Sequence, residues 1–131
     1  MNQVQGLYYA FGQFAYAVAA ADGKISADEK KSLHELLGKM AGTHDLEFDY
    51  SEIIFHLLAK DHIKIETAYE WALKEMKLNE YYLSEKRKAD FITIINKIAE
   101  ANPPVTAEEK KLIDRFIKDI SVLKGDPTFT K

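Results

Sequence analysis

Apolar residues recur along this chain at three- and four-residue steps, and the pattern is broken only at Gly23, Gly42-Thr43, Asn79, Pro103-Pro104, Gly125 and Pro127. No stretch alternates with strand period for long, so the spacing predicts an all-α chain. A first helix over about residues 4–21 carries Tyr8, Phe11, Ala15 and Val18 on one buried stripe. A second begins at Ser26, buries Leu33, Leu36, Leu37 and Met40, and ends at Gly42, leaving 43–50 as polar loop. The third starts near Ser51 with Ile53, Ile54, Leu57 and Leu58 as its apolar face. The fourth, 64–78, offers Ile65, Tyr69, Ala72, Leu73 and Met76. A fifth, ending about Ala101, brings Phe91, Ile94, Ile95 and Ile98. The sixth, from Thr106 to about Leu123, brings Ile113, Phe116, Ile117 and Ile120 before Gly125 stops it.

The pattern also repeats. With Ser26 laid on Thr106, Phe11 falls on Phe91, Val18 on Ile98, Ala19 on Ala99, Ala21 on Ala101, Asp22 on Asn102, Ile25 on Val105 and Glu29 on Glu109. This arrangement is a helical bundle of about six helices in which two helix–turn–helix units, about 8–42 and 82–123, flank middle helices over about 51–79. The two units are expected to be related by a pseudo-two-fold axis. All of residues 1–131 belong to one domain, and a chain of this length buries roughly two thirds of its unfolded surface without a metal or disulfide to help.

Composition narrows the chemistry. With no cysteine, thiol catalysis, zinc knuckles and iron–sulfur ligation are excluded. A net charge of −3 argues against duplex DNA as a partner, because counterion release needs a concentrated positive face. The apolar stretch 7–21 is interrupted by Gly12 and Gln13 and falls short of a bilayer span. No basic residue precedes Lys24, as a secretory leader would require, so a cytoplasmic protein without membrane insertion is expected.

The string Ala19-Ala20-Ala21-Asp22-Gly23-Lys24-Ile25-Ser26-Ala27-Asp28-Glu29, set between an apolar and an amphipathic helix, resembles the tellurite-resistance TerB-like family, which includes the N-terminal region of DjlA cochaperones. The likeness spans about residues 8–122 and is carried by the first turn and its echo. In the echo, Asn102-Pro103-Pro104 replaces Asp-Gly-Lys. The resemblance implies a helical, non-enzymatic stress-response or metal-associated module, with Asp22 and Glu29, matched by Asn102 and Glu109, as ligands of a divalent cation.

The same residues have a second reading. Ser26-x-x-Glu29 and Thr106-x-x-Glu109 are capping boxes, Gly23 ends a helix at positive φ, and Asp22 is a turn former. The turns then only cap helices, and the protein acts on a protein partner. An EF-hand is refuted by Val18 and Ala20 where its first acidic ligands belong.

A third reading, a small metal-dependent hydrolase, rests on Glu52 and His56, which share a helix face at i, i+4. The other histidines, His34, His44 and His62, read as isolated surface groups. The run Lys86-Arg87-Lys88 reads as a solvated helix face. Tyr8, Tyr9, Phe11, Phe14 and Tyr16 crowd one helix, so Tyr9 or Tyr16 is expected to face a partner or a second copy, making a homodimer a candidate assembly.

Overall fold

The computed structural model describes residues 2–21, 23, 25, 27–28, 30–31, 33–35, 48–100 and 104–125, and among them it is all-helical, without a strand. The bounded helices are α1 (Gln3–Ala19), α2 (Phe48–Asp61), α3 (Ile65–Leu78), α4 (Glu85–Glu100) and α5 (Ala107–Ser121). A 3-10 helix, Glu80–Tyr82, joins α3 to α4, and the described residues between 27 and 35 are also helical. None of the described helices is long and apolar enough to cross a membrane.

α1 is the axis of the bundle. Asn2 caps it by accepting the Gln5 N–H at 2.8 Å while Gln5 Oε1 accepts the Asn2 N–H at 2.9 Å. From Gly6 to Ala19 only Tyr9 keeps partial exposure, because α2, α3, α4 and α5 all pack against this one helix. A helix surrounded on all sides must be apolar all round, which accounts for its lack of a polar face. Tyr16, expected at the surface, is 4% exposed, and its hydroxyl donates to the Ile63 carbonyl at 2.5 Å. Burial raises that phenol's pKa.

Small residues let the neighbours in. A Cβ at Gly12 would lie 2.3 Å from the Ser51 carbonyl oxygen, so α2 touches α1 backbone to backbone there. Ser51, buried at this crossing, donates its hydroxyl to the Tyr8 carbonyl at 2.5 Å. The buried stripe of α2 is therefore Ser51, Ile54, Phe55 and Leu58, the i, i+3, i+4, i+7 set. Ile53 and Leu57, expected in the core, are 58% and 51% exposed. α2 also begins a turn earlier than the polar run 43–50 predicts. Phe48 is 1% exposed, with its ring edge-on to Tyr8 at 4.7 Å and to Phe11 at 6.1 Å, so burial of one aromatic draws the adjoining backbone into the helix.

The aromatic core follows α1. Phe11 stacks on Phe91 of α4 at 4.5 Å with an interplanar angle of 10°, and Phe14 meets Phe116 of α5 at 4.6 Å and Tyr69 of α3 at 5.0 Å. Phe11 and Phe91 are the pair that the internal repeat aligns.

Polar ties fix the outer helices. The Tyr69 hydroxyl donates to Asp119 at 2.6 Å, and Arg115, lying 3.9 Å over the Tyr69 ring, forms a two-pronged pair with Glu66 at 2.8 and 2.9 Å. The Arg115 hydrogen bonds hold the Glu66 carboxyl below its ordinary pKa, while burial foremost, with the Asp119 hydrogen bond, pushes the Tyr69 phenol far up.

The basic run on α4 departs from the solvated face expected of it. Lys86 is exposed and pairs with Asp90 at 2.9 Å, but Arg87 and Lys88 are each only 7% exposed. Arg87 donates to the Tyr8 hydroxyl at 3.3 Å and to the Tyr82 carbonyl at 3.2 Å, and the Lys88 ammonium donates to the Leu123 carbonyl. Their aliphatic stems lie in the core while their heads meet polar atoms left over at helix ends. α5 ends at Ser121, ahead of Gly125, whose added Cβ would lie 2.6 Å from the Leu83 carbonyl oxygen; that glycine serves close chain approach.

Candidate functional site

Three of the four proposed cation ligands, Asp22, Glu29 and Asn102, lie outside the described residues, as does Ser26. What surrounds them is defined. α1 ends at Ala19 with Ala20 as its C-cap in right-handed conformation, ahead of Gly23; Gly23 takes the positive φ expected of it, 96°, in the turn that follows, where its N–H donates to the Ala20 carbonyl at 2.8 Å. Ile25 then turns back onto the core.

The echo turn is described from Pro104 onward. Thr106, extended at φ −75° and ψ 161°, is the N-cap of α5: its Oγ1 accepts the Glu109 N–H at 3.1 Å, and Glu109 Oε1 accepts the Thr106 N–H at 2.9 Å. Both halves of the capping box are made. Glu109, the one described member of the ligand set, is 2% exposed. Its carboxylate therefore already serves a backbone donor and the positive end of the helix dipole.

A second polar cluster is brought together by the fold. Glu52 and His56 face each other along α2 at 3.5 Å, as their spacing predicts. His34, from the helical residues before the 36–47 segment, reaches across so that its Nδ1 meets the same Glu52 oxygen at 2.7 Å. The Glu52 hydrogen bond, reinforced by that carboxylate's charge, raises the His34 pKa. Both histidines are well exposed, and these contacts lie at the protein surface, where such pairs contribute little to stability. Among the described residues no three His, Asp or Glu side chains are arranged to hold a metal ion. His44 lies outside the described residues, and His62 takes φ 51° at the turn from α2 to α3.

Comparison with protein-family models, curated proteins and solved structures gives no match to this chain.

One surface feature has no counterpart in the expected core stripes. Trp71 is 47% exposed and Leu78 69% exposed on the outer side of α3, and Tyr81 follows in the 3-10 helix at 55%. Positions 71 and 78 share a side of α3 at seven-residue spacing. A lone tryptophan amid charged neighbours gives no periodic signal by which a sequence reading would find this stripe.

Proposed function

We propose that this chain is an intracellular TerB-like helical module that works by binding a protein partner rather than by catalysis, with its hairpin turns serving as helix caps. The observation that carries this reading is Glu109. Its carboxylate is buried and accepts the Thr106 N–H, the role that the capping-box reading assigns to it and one that leaves it badly placed as an open cation ligand. The TerB-like part of the reading rests on the sequence repeat and its Ala-Asp-Gly turn.

An amide NMR titration with Ca²⁺, Mg²⁺ and Zn²⁺ separates the cap reading from the cation reading. Resonances of Gly23, Thr106 and Glu109 that stay in place through millimolar cation are the expected result. Saturable shifts confined to both turns would overturn it and make Asp22, Glu29, Asn102 and Glu109 a joint site.

A further inference from the structure

We draw no further inference here: the strongest candidate, the exposed apolar patch of Trp71 and Leu78 on the outer side of α3, lies among side chains of both charges, and nothing in the structure shows what covers it.

Discussion

Thr106 shows how much one hydroxyl does. Its side chain satisfies the Glu109 N–H, one of the orphan donors at the start of α5, and the reciprocal bond from Glu109 satisfies the N-cap itself. Thr106→Ala is expected to lower stability by about 1 kcal/mol, read as a shifted urea midpoint, with the native helix content unchanged. The same bonds explain why a glutamate can be buried here: its carboxylate meets a backbone donor in the first turn, where the helix dipole favours negative charge. Arg87 and Lys88 are the cationic counterparts, buried with their heads on the carbonyls of Tyr82 and Leu123.

At the scale of elements, Glu52 ties the helical residues before the 36–47 segment to α2. His34 donates toward the same oxygen that His56 approaches, and that hydrogen bond raises the His34 pKa in the folded protein. A raised folded pKa means the tie is fully present below the ordinary histidine value of 6.5 and is lost as pH rises through the folded value. Imidazole proton shifts followed by NMR are expected to place the His34 midpoint above 6.5, and Glu52→Gln should return it toward that value. An unchanged midpoint in the variant would show that the carboxylate is not what holds the proton. Between α3 and α5 the tie is more deeply set, because the Tyr69 ring is fully buried under Arg115 and its hydroxyl reaches Asp119.

For the molecule as a whole, the decisive feature is that one helix is enclosed by the rest. Gly12 is where this matters most, since a methyl group there would sit 2.3 Å from the Ser51 carbonyl oxygen, 2.8 Å from Ser51 Cα and 2.4 Å from Ile54 Cγ2. In an exposed helix, glycine to alanine is stabilising by up to about 1 kcal/mol. Here Gly12→Ala must push α2 off α1, and we expect a net loss of roughly 1–3 kcal/mol in urea unfolding.

Local sequence determined what local physics controls. Helical periodicity, the positive φ at Gly23 and the Thr106-x-x-Glu109 box are set by residues within a turn of one another, and the helices over 3–19, 65–78 and 107–121 lie within a few residues of the spans that their spacing predicts. Tertiary contact decided the rest. Phe48 joins α2 because Tyr8, far away in sequence, buries it, and Ile53 and Leu57 turn outward because the close crossing at Gly12 selects the Ser51 stripe of α2. Arg87 and Lys88 go inward only because carbonyls from other segments await them, and His34 finds Glu52, 18 residues on, at a separation that no helical spacing records. A side chain's neighbours within one helix follow from its position in the chain, whereas its neighbours across helices follow from which faces can approach most closely, and that is fixed only when all the helices pack at once.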